Sequence, residues 1–281
     1  RSIAVTGVQT CALPIYSIIK ACCHQAINFK DKHNYGLRYC GARKDAFGIW
    51  QYLYHSNLDE LNSILRGYLM LRREKAEVLT QLPEKIINIV QFEMDATVEK
   101  ADAVIRPFKE EIVRGVKHGA GLDGIATHRR LIGEKKSDLI AEYVKMELDS
   151  SQNCIVFAYH RSVIEYLSAA LKSYGVSLVI GGMSAEQKAK EVADFVSGKN
   201  RVFLGNIGAA GVGITLVNCS LVIMGEPDWV PGNNDQAIDR AYRIRQKSVV
   251  NVKYLVYKGS VEEYILNSNF KKRKIIKSTL E

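Results

Sequence analysis

The sequence predicts an α/β fold, a parallel sheet with helices on both faces, preceded by a mainly helical region. Two observations predict it. From about residue 134 onward, short apolar runs of strand-forming residues recur: CIVFAY (154–159), VSLVIG (176–181), RVFLGN (201–206), SLVIMGE (220–226) and VNVKYLVYK (250–258). Segments of helical character separate most of them, at 161–174, 184–197 and 234–245. Short strand cores alternating with helices give parallel strands joined by right-handed crossovers. The length, 281 residues with 47% hydrophobic and 25% charged, allows one large domain or two small ones.

The elements follow in order. Residues 5–15, VTGVQTCALPI, match a frame translation of a common sequencing-library adapter. Residues 1–16 are therefore expected to be foreign, with natural sequence upstream of Ser17 missing. Residues 17–130 read as mainly helical and irregular. Ser56 with Asp59 three residues on is a helix-start signature. Leu58, Leu61, Ile64, Leu65, Tyr68, Leu69 and Leu71 then form a helical stripe, and Pro83 stops it. KIINIVQFEM alternates as a strand does, and 98–114 reads as another helix. GVKHGAGLDGIATH (115–128) holds four glycines without periodicity and reads as a flexible connection. A helix at 135–148 opens the α/β domain, expected over 131–268. A helix at 260–278 closes it, and KKRK (271–274) in the basic end, 269–281, reads as a solvated face.

Composition narrows the function. There are 39 basic and 30 acidic residues, net charge +9, which fits nucleic-acid contact without demanding it. No run of 18 or more apolar residues exists, so no membrane span is expected. Cys11, Cys22, Cys23, Cys40, Cys154 and Cys219 show no CxxC pair or zinc-ligand spacing, and the six histidines form no HxxxH pattern. Free thiols, an intracellular reducing compartment (cytoplasmic for a bacterial or phage source) and no metal site are the expectations.

In an open parallel sheet, ligands bind beyond the carboxyl ends of the strands. Three segments fall there. IGAAGVGITL (207–216) carries Gly208, Gly211 and Gly213, which permit tight turns and close backbone approach, and Thr215 adds a hydroxyl. Its amides could hold a phosphate, or it could be a plain strand-to-helix turn. EPDWVPGNN (226–234) is stiffened by two prolines. Asn233 or Asn234 could cap the next helix, and Trp229 could be a core anchor or a stacking platform. QAIDRAYRIRQ (236–246) follows directly. On a helix, Gln236, Arg240 and Arg243 fall within roughly 60° of one another, while Arg245 points the opposite way. Ala237, Ile238, Ala241, Tyr242 and Ile244 would pack. Two aimed guanidiniums suit an anion with several oxygens, although a solvated basic helix would carry the same residues.

These segments also carry a resemblance. VFLGNIGAAGVGITL, EPDWVPGNNDQAIDRAYRIRQ and VKYLVYKGSVEEYI, in that order, closely resemble the second RecA-like lobe of Swi/Snf-related ATPases, a branch of the superfamily-two helicases. YGLRYC (35–40), SNLDEL (56–61) and YLMLRREKAEVLTQLPEK (68–85) make the chain most similar to the HARP-like, DNA-annealing and fork-remodelling subgroup. The likeness covers most of 17–268 and makes 17–130 the end of a first lobe plus a helical inter-lobe region.

The resemblance implies a DNA-dependent ATPase using ATP and magnesium, with double-stranded or branched DNA as partner. It implies Arg240 and Arg243 as catalytic arginine fingers, with Gln236, Gly211 and Gly213 contacting nucleotide. Thr215, His160, Arg161 and Gly182 would lie toward the nucleic acid. IVFAYHRSVIEYL (155–167) and IGGMS (180–184) resemble the lobe's opening motifs. The usual ending HRIGQ is altered here, Tyr242 replacing histidine and Arg245 replacing glycine, and Gly181 stands where aspartate is common. No GxxxxGK[ST] and no DExH occur. The magnesium ligands and Walker lysine are expected in a missing N-terminal lobe, and this fragment alone is expected to be inactive. A stand-alone nucleic-acid-binding or regulatory module is the alternative.

Overall fold

The computed structural model describes residues 13–21, 29, 31–44, 48–52, 56–69, 79, 81–114, 123–210 and 213–280. Six parallel strands form the main sheet. They are β3 (Lys85–Phe92), β4 (Cys154–Ala158), β5 (Val176–Val179), β6 (Val202–Asn206), β7 (Leu221–Met224) and β8 (Val250–Tyr257), in the spatial order β3-β8-β7-β4-β6-β5. The central strands β4 and β7 are buried along their whole length. That is why they read as continuous apolar runs rather than alternating ones. β3, at the edge, alternates between half-buried and exposed positions and pairs with β8 from Lys85↔Val250 to Phe92↔Tyr257. The sequence marks β3 as a strand; its partner is a strand some 165 residues further along, which no local pattern reveals.

Helices cover the sheet: α6 (Asp123–Ser150), α7 (Arg161–Ala170), α8 (Ala185–Val196) and α11 (Val261–Leu280); α5 (Lys109–Arg114) and α9 (Ile207–Ala210) are short. α8 starts where its sequence says it must. Ser184 accepts from the Gln187 amide and Gln187 reaches back to the Ser184 amide, a complete capping box. α6 ends on Arg201, whose guanidinium donates to the carbonyls of Leu148, Ser151 and Gln152. Otherwise orphaned helix-end carbonyls are thereby satisfied. The main core joins Ile140, Val144 and Leu148 of α6 to Phe157, Phe203, Val222, Ile223 and Val252 of the strands.

Two smaller clusters flank it. Val98, Ala101 and Ile105 of α4 (Ala96–Ile105) pack with Ile125, Ile132, Val261 and Ile265. Buried Asp102 accepts from the Val261 amide at 2.7 Å and so caps α11 from another element. Fully buried Lys136 donates to the Leu255 carbonyl at 3.0 Å and to both oxygens of Glu262 at 3.0 and 2.7 Å. The second cluster is aromatic. Tyr16, Tyr35, Tyr39, Leu61 and Leu65 gather α1 (Leu13–Ala21), α2 (Lys32–Tyr39) and α3 (Leu58–Tyr68). A two-stranded antiparallel hairpin, β1 (Arg43–Lys44) and β2 (Trp50–Gln51), lies between α2 and α3 in the chain.

Several local expectations are corrected. Ser56 does not cap α3. Its hydroxyl donates to the Arg38 carbonyl, and Asn57, at φ 49°, is the cap residue; its side chain makes no capping bond and donates to the same carbonyl. Residues 123–128 are helical, because Ile125 and Ile132 find a buried face to share; 115–122 lie outside the described residues. Neither Asn233 nor Asn234 is a helix cap. α10 (Pro231–Ile238) has Val230 as its cap residue, three or four positions earlier, with proline in its first turn. α10 also ends at Ile238, so only the first five residues of the helix expected over 234–245 are helical.

Candidate functional site

All the strand ends that carry motif residues lie at one edge, because the sheet is parallel throughout. Hydrogen bonds run along that edge from strand to strand. Asn206, ending β6, donates its side-chain amide to the Tyr159 carbonyl beyond β4. Glu226, just past β7, reaches back to the same place. Its Oε2 accepts from the amides of Tyr159 (3.1 Å) and His160 (2.9 Å), and its Oε1 lies 2.7 Å from His160 Nδ1. An ionised carboxylate only accepts, so Nδ1 carries the proton. Burial alone would raise the Glu226 pKa, but the hydrogen bonds and charge of His160, with Lys136 adding to them, hold it below the ordinary carboxylate range. Gly133 makes this possible: a Cβ there would stand 1.9 Å from Glu226 Oε1.

Arg129 completes this cluster. Its guanidinium carbon lies 3.6 Å from the Tyr159 ring centroid and 4.2 Å from that of Trp229, and it donates to the Pro227 carbonyl. Burial lowers its pKa, opposed by Tyr159, Asp228 and Glu226. Trp229 is thus half-buried against a cation and the cluster of α4, α6 and α11. The following loop is stiffened by Asp228, which accepts from Val230 and Asn233 while exchanging bonds with Asn234. The asparagines therefore brace a loop rather than cap a helix.

The arginine segment is built from turns. After Ile238 the chain tightens: the Arg240 amide bonds to Ala237, Ala241 to Ile238, Arg243 to Ala241 and Gln246 to Arg243. The helical projection that put Arg240 and Arg243 on one face does not describe this segment. They come together nonetheless. The Arg240 carbonyl accepts from the Leu216 amide at 2.8 Å, which docks the segment on the glycine loop. Arg243 Nη1 donates to Thr215 Oγ1 at 3.3 Å. Arg240 Nε donates to the Gln236 carbonyl at 3.2 Å. Burial lowers the Arg240 pKa, and the like charge of Arg243 lowers it further. Gly213, at φ 79°, makes the turn that presents Thr215; Gly211 lies outside the described residues. Ile244, expected to pack, is 61% exposed. Tyr242 packs on the core's margin, with Lys85 Nζ 5.1 Å from its ring. Arg245 takes φ 83°, the left-handed conformation that favours the glycine it replaces.

The other expected residues are placed less pointedly. Arg161 is exposed and bonded to Glu165 within its own helix. Gly182, at φ 87°, is exposed in the turn after β5. His160 is committed to Glu226 through one nitrogen. Glu226, Arg129 and Gly133 were not singled out in the sequence. The available signal was an acid closing a strand core, SLVIMGE, since a buried acid needs a partner.

Two guanidiniums held close together suit an anion with several oxygens. Among the described residues, no group of three or more His, Cys, Asp or Glu could hold a metal ion. No described helix is long and apolar enough to cross a membrane.

Comparison with known proteins agrees with this fold. Residues 134–245 match the helicase conserved C-terminal domain. The crystal structure of the C-terminal part of the Fun30 ATPase domain superposes with a TM-score of 0.51 at 18% identity, covering 67% of this chain and 89% of that one. The six-stranded sheet and its helices therefore form a RecA-like helicase C-terminal lobe. Over 238 residues the chain is 33% identical to the SWI/SNF-related matrix-associated actin-dependent regulator of chromatin subfamily A-like protein 1 of Xenopus tropicalis, covering 83% of this chain and 25% of that protein. Over 292 aligned positions it is 31% identical to the human DNA annealing helicase and endonuclease ZRANB3, covering 100% of this chain and 27% of that protein. Within superfamily two, it belongs to the Swi/Snf-related branch. The chain spans about a quarter of the length of these curated relatives.

Proposed function

We propose that this chain is the second motor lobe of an ATP-dependent DNA translocase of the annealing, fork-remodelling kind, and that it is inactive in hydrolysis without a first lobe. The observation that carries this reading is the corner where Arg240, Arg243 and Thr215 meet. Arg240 and Arg243 face the cleft between lobes as fixed cations, placed where negative charge builds during phosphoryl transfer. ATP, when bound, supplies the γ-phosphoryl group that passes to water, with magnesium held by carboxylates of the first lobe. Thr215 and the turn at Gly213 link the arginines to the edge facing DNA, so a change in nucleotide contact at Arg243 alters the loop. Gln236 anchors Arg240 through its carbonyl. Exposed Ile244 offers the first lobe an apolar contact beside the fingers. Double-stranded or branched DNA lies across the same edge, near Arg161 and Gly182.

The test is DNA-stimulated ATP hydrolysis, measured on this chain alone and on the same chain joined to a first lobe bearing a GxxxxGK[ST] loop. The expected result is no turnover alone and DNA-dependent turnover when joined. Turnover by the isolated chain, or a joined protein that ignores DNA, would overturn the reading.

A further inference from the structure

The arginine corner makes no use of the hairpin β1–β2. Among its described residues this hairpin holds two large apolar side chains in solvent, Ile49 at 61% and Trp50 at 37% exposure. Trp50 is nevertheless fixed. The His33 ring meets it edge-on with centroids 4.6 Å apart. His33 Nδ1 is bonded to the Tyr52 hydroxyl at 2.7 Å, and Tyr52 packs on the buried tyrosine cluster. Lys44, the cross-strand partner of Trp50, places Nζ 5.4 Å from the indole. Over 31–51 the sequence holds Lys32, Arg38, Arg43 and Lys44 against Asp31 and Asp45; Arg38 is paired with Glu60, and Lys44 is the cation at the indole. The Asp31 carboxylate is engaged in capping α2, where it accepts twice from Asn34.

We propose that this hairpin contacts single-stranded DNA, an unpaired base stacking on Trp50 while Lys44 holds the adjoining phosphate. The proposal rests on the reading that the parent protein acts on DNA, and it adds a contact outside the helicase motifs. Every base has a π-face, and an oriented aromatic beside a cation is the arrangement that takes up an unpaired base. A duplex keeps those faces stacked inside and offers the hairpin only phosphates. One indole suffices to take up one base.

The chain carries two tryptophans, Trp50 and Trp229, so intrinsic fluorescence reports on the hairpin directly. The probes are an unstructured oligothymidylate of about 20 nucleotides, longer than usual single-strand site sizes, and a duplex of equal length. Fluorescence anisotropy of the end-labelled DNA reads binding separately. The expected result is saturable quenching by the single strand, abolished in Trp50→Phe although that variant still binds. Trp50→Ala weakens single-strand binding by about five-fold or more and leaves duplex binding nearly unchanged. Binding seen by anisotropy with no quenching in the unsubstituted chain, and unaltered in Trp50→Ala, overturns the hairpin contact and leaves the DNA reading intact. No binding to either DNA at low salt overturns both.

Discussion

Replacing Arg245 by glycine is predicted to stabilise this protein. Arg245 sits at φ 83°, where an L-residue is crowded by about 1–2 kcal/mol and glycine is not. The turn does not relax around it, because its neighbours are pinned. The Gln246 amide donates to Arg243, and its side chain donates to the carbonyls of Cys219 and Ala241 and accepts from the amides of Lys247 and Ser248. The Arg245 side chain is exposed, so its removal leaves no cavity. Glycine brings extra freedom to the unfolded chain, which offsets about 0.5–1 kcal/mol. The net gain is about 0.5–1 kcal/mol, or about 1–3 °C in Tm for a chain of this size. Thermal unfolding followed by circular dichroism, at fixed ionic strength, reads it. Arg245→Ala is the essential companion: it removes the same charge but keeps a Cβ in the left-handed region, and its Tm should not rise. A glycine variant no more stable than the parent refutes the strain. An equal gain in both variants refutes it too, since relief of charge repulsion would then explain the effect.

Other sites give sharper signs. Gly133→Ala would ordinarily strengthen a helix by about 1 kcal/mol, but its Cβ would meet the pinned Glu226 carboxylate. It is predicted to destabilise by about 1–3 kcal/mol in urea unfolding. Glu226 has a folded pKa below its unfolded value, so its contribution is present above the ordinary carboxylate pKa and is lost as pH falls through the folded one. The stability gap between the parent and Glu226→Gln should therefore hold at neutral pH and close below about pH 4; a gap independent of pH contradicts this. Lys136→Met strands Glu262 and should cost about 3–5 kcal/mol, while adding Glu262→Leu should recover most of it. Chemical denaturation of both variants checks the pair.

Much of this architecture was legible in the sequence, for identifiable reasons. Val222 and Ile223, or Ile155 and Val156, lie in runs apolar enough to require a strand buried on both faces. The parallel arrangement then sends 207–216 and 236–246 to one edge, so the meeting of Thr215 and Arg243 follows from topology more than from local structure. The helix end at Ile238 was hidden. QAIDRAYRIRQ has good helical spacing, but the bonds Leu216 N to Arg240 O and Gln246 to Cys219 draw the chain into turns against the neighbouring loop. The cluster of Arg129, Gly133 and Glu226 was hidden for the same kind of reason. Glu226 lies nearly a hundred residues from the other two in the chain, and a glycine within a helix does not announce that a carboxylate fills its empty side.

The most direct test of the central claim is steady-state, DNA-stimulated ATP hydrolysis by a complete two-lobe protein carrying Arg243→Ala or Arg240→Ala. If these side chains stabilise charge that develops only in the transition state, turnover should fall by about 10³ or more while the KM for ATP changes little. Turnover equal to that of the unsubstituted protein, or a loss confined to KM, would contradict the account.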